Sequence, residues 1–234
     1  MSDDTEFTVL LVAKAPVAGL AKTRLCPPLT HEGAADIAAA ALIDTLAAAL
    51  EAVQQDRTRI VVSYTGSFND AAKRTEIGNA MQGCNLVQQR GSTFAERLSN
   101  AHHDANERRP GLPVVQIGMD TPHVDPALLV QAGLATLRGP RGGVLGDATD
   151  GGWWLLALAH PEAAHALSSV PMSRRDTGRL TRRALTDAGV ELAETAMLTD
   201  VDTWDDALAV SSQNPQGDFA TAVRRQLAAC EASA

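Results

Sequence analysis

The chain has 234 residues, a length that suits one α/β domain spanning 1–234. Hydrophobic residues make up 45% and aromatics only 3%, so the expected core is aliphatic and alanine-rich. A formal net charge of −8 argues against broad nucleic-acid binding, which needs a basic face, but it leaves room for a local anion site.

Residues 8–14, "TVLLVAK", read as a buried strand: short, continuous, apolar and β-branched. Residues 31–54 predict a long Ala-rich helix, 59–65 a second strand, 67–80 a short helix and 85–90 a weaker strand. A helix over 94–108 stops at Pro110-Gly111; a strand covers 112–120, and a helix over 125–137 starts at Asp125 as N-cap. Two strands, "GGVLGDA" and "WWLLALA", flank "TDGG". A helix over 173–189 ends at Gly189, followed by a strand over 190–198 and helices over 203–213 and 218–231. Strands alternating with helices predict a mainly parallel sheet covered on both faces, whose ligands sit outside the carboxyl ends of the strands.

Three cysteines, Cys26, Cys84 and Cys230, show no CxxC spacing, so neither a disulfide framework nor a cysteine zinc site is expected. A reducing cytoplasm is the simplest compartment. The start "MSDDTEF" is acidic and lacks a signal-peptide pattern, and no apolar run is expected to reach the ~20 residues of a membrane span. The six histidines form no zinc spacing; His123, beside Asp120, is the one near a candidate site.

Four stretches at predicted strand ends carry the chemistry. The loop after the first strand holds Lys14, Pro16, Gly19, Lys22, Thr23 and Arg24. Its cations suit phosphate oxygens, and Gly19 lets the chain fold closely around a ligand. It is not a Walker loop, since Ala21 rather than Gly precedes Lys22, and a solvated basic loop is the alternative. "GMDTPHVDP" puts Asp120 at a strand end as a hard oxygen ligand for Mg²⁺ or Mn²⁺, or as a simple turn former.

"TDVDTWDDAL" supplies Asp200 and Asp202, which in an extended segment face the same side. Thr203 and Asp206 fit a helix cap, which leaves Asp200 without a role. "LGDATDGGWW" reads either as a hairpin turn or as a glycine pair, Gly151-Gly152, admitting substrate close to the backbone while Asp150 binds an acceptor hydroxyl. Arg175, Arg179 and Arg183 share a helical face that reads as solvated, although Arg174 or Arg175 can reach an anionic substrate.

Together, "AKAPVAGLAKTRL", "GMDTPHV", "TDGGWWLLAL" and "DVDTWDDAL", in order over residues 13–208, resemble the nucleotide-diphospho-sugar transferases of the GT-A superfamily. Within these the chain is similar to the cofC-like, radical-SAM/selenodomain-associated transferase 1 group, related to 2-phospho-lactate and molybdenum-cofactor guanylyltransferases. The chain departs from that pattern at "GSTFAERL", at "PMSRRDTG" and at His123.

The resemblance implies a GT-A fold, a divalent metal, and a nucleotide (NTP or NDP-sugar) with a small acceptor as partners, without nucleic acid or membrane. Lys14, Gly19, Lys22, Thr23, Arg24 and Gly151 are then nucleotide-binding candidates. Asp120 and Asp202 are the metal candidates, and Lys22, Asp120 and Asp150 the catalytic ones. The expected activity is nucleotidyl or glycosyl transfer, with a nucleotide-binding regulator that lacks turnover as the alternative.

Overall fold

The computed structural model describes residues 6–232, so most of the acidic start "MSDDTEF" lies outside the described residues. Seven strands are present: β1 (Thr8–Lys14), β2 (Ile60–Thr65), β3 (Asn85–Gln88), β4 (Val114–Gly118), β5 (Gly142–Asp147), β6 (Trp153–Leu158) and β7 (Glu191–Glu194). They form one sheet in the order β3-β2-β1-β4-β6-β5-β7. β6 runs antiparallel between β4 and β5, while the other pairings are parallel. The "TDGG" turn is therefore a hairpin tip, and this hairpin makes the sheet mixed.

Helices cover both faces. α1 (His31–Ala52), α2 (Arg74–Met81) and α4 (Pro126–Ala135) bury the side that carries Val9, Leu11 and Ala13 of β1. α3 (Phe94–Arg108), α5 (Thr177–Asp187) and a 3₁₀ stretch, Pro161–Ser169, bury the side that carries Leu10 and Val12. Alternate β1 residues thus enter two cores, which is why the strand is a continuous apolar run rather than an alternating one. α6 (Trp204–Ser211) and α7 (Asp218–Ala232) pack on the outer side of α1. Sandwiched in this way, α1 is apolar nearly all round, and its alanines let the sheet and α7 approach closely.

α1 corrects one expectation: its 22 residues are long and apolar enough by composition to cross a membrane. Most of the helix is instead buried inside the fold.

Local chemistry sets the remaining boundaries. Asp125 caps α4 by accepting from the Ala127 N–H, and Thr203 with Asp206 forms a reciprocal capping box on α6. The helix expected over 67–80 splits into a 3₁₀ turn, Phe68–Asp70, and α2, because Lys73 takes a left-handed conformation between them (φ 50°). The helix expected from 173 starts only at Thr177, because Ser173 is also left-handed (φ 59°). The last expected strand shortens to β7, with Leu198 making an isolated bridge to Ala148.

Candidate active site

The carboxyl end of β1, the segment after β4, the β5–β6 turn and the segment after β7 meet at one rim of the sheet. Backbone bonds join them: Val201 N–H donates to the Asp120 carbonyl at 2.9 Å, and Thr149 N–H to the Leu198 carbonyl at 3.0 Å. Residues remote in the chain are thereby locked into a single floor.

Lys22 is the centre of that floor. Its backbone is left-handed (φ 49°), a conformation uncommon for a non-glycine residue, at the start of a 3₁₀ turn, Thr23–Leu25. This geometry turns the side chain inward. Nζ lies 2.6 Å from Asp120 Oδ1 and 3.4 Å from Asp202 Oδ1, and donates to the Val201 carbonyl. The side chain is only 9% exposed. Burial alone would lower its pKa, but the charges of Asp120 and Asp202 outweigh it and raise the pKa, so the ammonium stays charged.

Arg24, largely exposed, takes the other Asp202 oxygen at 3.2 Å. Lys14 reaches across its own loop to donate to the Leu20 carbonyl at 2.6 Å, and Gly19 makes that loop possible with φ 75°. Thr23 is exposed beside them and lines the same cleft.

Asp200, which helix capping left without a role, joins Asp120 and Asp202 beside Lys22. Burial first, then the neighbouring Asp120, pushes its pKa up to about 7, with Lys22 acting against the rise. Its signal in the sequence was the spacing to Asp202, two residues apart along an extended segment. The rim thus carries more carboxylate than its lysine neutralises.

A cleft runs over this floor in two lobes that share Arg24, Asp120 and Asp202. The first, about 420 Å³, lies over the basic loop and is walled by Gln89, Phe94 and Arg97. Gln89 is held by the Ser63 carbonyl at 2.9 Å, and the buried Nε of Arg97 has no partner among the described residues. Sequence reasoning missed these three residues. The i, i+3 spacing of Phe94 and Arg97 at the start of α3 was the available clue.

The second lobe, about 890 Å³, lies over Asp150, Gly151 and the 171–176 loop. Asp150 Oδ1 accepts from the Gly152 N–H at 2.7 Å, which closes the turn. Gly151 has φ +89°, and a Cβ there would lie 2.0 Å from the Arg175 carbonyl oxygen. Close approach at Gly151 therefore belongs to the protein's own chain. His123 is half-buried, and neither ring nitrogen is hydrogen-bonded among the described residues.

Among the described residues no three His, Cys, Asp or Glu side chains form a ready cage. The residues nevertheless fit a hard divalent ion that borrows phosphate ligands: all the donors are oxygens, and Asp120 and Asp202 face the same ammonium with Asp200 close by.

Comparison with known proteins follows the same outline. The chain is similar to a protein from Desulfovibrio desulfuricans G20 named "putative nucleotide-diphospho-sugar transferase", at 20% identity over 96% of each chain with a TM-score of 0.77. It is also similar to a CMP:2-keto-3-deoxy-manno-octonic acid synthetase complexed with CTP, at 12% identity over 90% of this chain and 99% of that one (TM-score 0.55). A 4-diphosphocytidyl-2C-methyl-D-erythritol synthase matches at 13% identity over 89% and 98% (TM-score 0.56). The fold is accordingly of the GT-A type. No curated protein matches the chain. Residues 45–174, more than half of the chain, match the family described as "Uncharacterized protein conserved in bacteria (DUF2064)", and the protein belongs to that family.

Proposed function

We propose that the protein transfers a group from an activated nucleotide to a small acceptor, with a divalent cation, Mg²⁺ or Mn²⁺, held by Asp120 and Asp202. One observation carries the reading: a buried Lys22 ammonium bridges two carboxylates at the place where the two lobes of the cleft join. Such a centre offers a cation for a polyphosphate and oxygens for its metal within ion-pair distance of each other. The fold neighbours named for nucleotide and nucleotide-sugar chemistry support the same reading.

The nucleotide lies in the smaller lobe, where Lys22 and Arg24 meet its phosphates and Lys14 and Gly19 shape the loop. When bound, the cation would offset charge on the phosphate oxygens as the leaving group departs. Lys22 and Arg24 stabilise the same developing charge from the protein side. Asp150 Oδ2, free once Oδ1 has closed the turn, accepts the hydrogen bond of the acceptor hydroxyl.

In nucleotidyl transfer the acceptor oxygen forms a bond to the α-phosphorus, the bond to pyrophosphate breaks, and the hydroxyl proton passes toward Asp150. The cluster of cations in the first loop favours this version, because a triphosphate brings more charge to be met. In glycosyl transfer the sugar carbon is attacked instead and a nucleoside diphosphate leaves. The cofC-like group is the functional analogy on which this reading draws, and the free thiols of Cys26, Cys84 and Cys230 are in keeping with a reducing cytoplasm.

Incubation with a panel of NTPs and NDP-sugars, with Mg²⁺ or Mn²⁺ and mixed small hydroxy acceptors, tests the proposal. Release of pyrophosphate supports nucleotidyl transfer, and release of nucleoside diphosphate supports glycosyl transfer. Tight metal-free binding without either product would favour a nucleotide-binding regulator and overturn the enzyme reading.

A further inference from the structure

Arg175 stands in an unusual position for an arginine. Its backbone is fixed from two sides. The Arg174 N–H donates to Thr177 Oγ1 at 3.0 Å, and that buried hydroxyl donates to the Pro171 carbonyl at 3.0 Å. On the other side the Arg175 carbonyl presses on Gly151, where no Cβ fits, and the Gly178 N–H donates to the Gly151 carbonyl at 2.9 Å. Ser173 holds its left-handed conformation inside the same loop (φ 59°). This loop is therefore pinned against the β5–β6 turn rather than loosely solvated.

The side chain of Arg175, by contrast, is not engaged. Arg174 and Arg179 share the Asp176 carboxylate, at 3.0 and 3.2 Å, and Arg182 pairs with Asp147 at 3.1 Å. Arg175 has no hydrogen bond or ion pair among the described residues, yet it lines the larger lobe with Arg174. Two guanidiniums thus share the Asp176 carboxylate, and Arg175, left without a partner, lines the cavity.

The same lobe is lined by Asp120, Asp150, Asp200 and Asp202. Its unpartnered guanidinium is the positive group that the charge of an anionic acceptor would meet among these carboxylates. A planar guanidinium fork matches carboxylate and phosphate equally well.

We infer that the acceptor is an anion, a carboxylate or phosphate ester, whose charged group binds Arg175 with Arg174 beside it and whose hydroxyl points to the floor. Naming the ligand the acceptor rests on the transferase reading, whereas the anion site does not.

The test titrates inorganic phosphate and, separately, malonate into the full chain. Arginine Nε–H and tryptophan indole resonances are followed by NMR. One of the two anions shifts the Arg175 and Trp153 signals saturably, and the stronger responder tells phosphate from carboxylate. Arg175→Ala, which removes no contact of the folded protein, weakens that binding by about tenfold or more, as expected for a charge-assisted pair. Arg183→Ala, on the solvent face beside Asp187, leaves it within about twofold. The inference is overturned if neither anion moves the Arg175 signal, if only Arg24 responds, or if Arg175→Ala binds like the wild type. Titrating Mg²⁺-nucleotide into the same samples keeps the two claims apart, since its failure would remove the transferase reading and leave the Arg175 result standing.

Discussion

The two lobes of the cleft hold their charges in opposite ways. In the smaller lobe the cations already have partners inside the protein: Lys22 with Asp120 and Asp202, Arg24 with Asp202, and Lys14 with the Leu20 carbonyl. In the larger lobe the backbone is locked by Gly151 and Thr177 while Arg175 is left without a partner. The first lobe must exchange internal ion pairs for ligand contacts, and a metal ion arriving with a polyphosphate supplies the replacement charge. The second is organised before any ligand arrives. The difference predicts metal-dependent binding on one side and metal-independent binding on the other.

The largest effect that could break this comparison comes from Lys22→Ala. It leaves three neighbouring carboxylates without their buried counter-ion, and nucleotide binding and turnover should fall roughly 100-fold or more. Steady-state kinetics would show it, and an unchanged rate would mean that the ion pair is only structural.

An effect on stability tests the support beneath both lobes. His102, on the buried face of α3, is fully buried, and burial, opposed in part by Gln116, lowers its pKa to about 4. The unfolded chain takes up this proton near pH 6.5 and the folded chain only near pH 4. The contribution is therefore complete above pH 6.5 and lost as pH falls from 6.5 to 4, on the order of 3 kcal/mol. Urea denaturation across that range checks it, and His102→Leu should flatten the slope.

Gly151→Ala sharpens the contrast from the other side. The added methyl meets the Arg175 carbonyl, and the residue must keep φ +89°. A loss of about 2–3 kcal/mol is expected, with Mg²⁺-nucleotide affinity retained and anion binding at Arg175 impaired. Thermal melts and the two titrations together separate the lobes. The smallest effect belongs to Arg24→Ala: this exposed pair should contribute less than about 1 kcal/mol to folding, while nucleotide affinity drops several-fold.

Much of this arrangement could be read along the chain. Apolar runs ending in Lys14 and Asp120 marked strand ends, and helix caps at Asp125 and Thr203 followed from residue type. The metal candidates Asp120 and Asp202 do meet, around Lys22. What escaped were long-range consequences. Asp200 sits beside Asp120 where Val201 bonds to the Asp120 carbonyl, and nothing local announces that bond. Gly151 read either as a hairpin turn or as a substrate-admitting glycine; the turn is what forms, and the neighbour that decides it, the Arg175 carbonyl, is remote in sequence. The left-handed residues Lys73 and Ser173 shortened two helices where the composition still read as helical. The antiparallel insertion of β6 depended on pairing partners rather than on its own apolar pattern.

The most direct test of the central claim is calorimetric titration of an NTP panel into the wild type and Asp120→Asn, each with Mg²⁺ and with EDTA. The account predicts binding of at least one nucleotide by the wild type that requires Mg²⁺ and disappears in Asp120→Asn. Equal affinity in EDTA, or in Asp120→Asn with Mg²⁺, would contradict it.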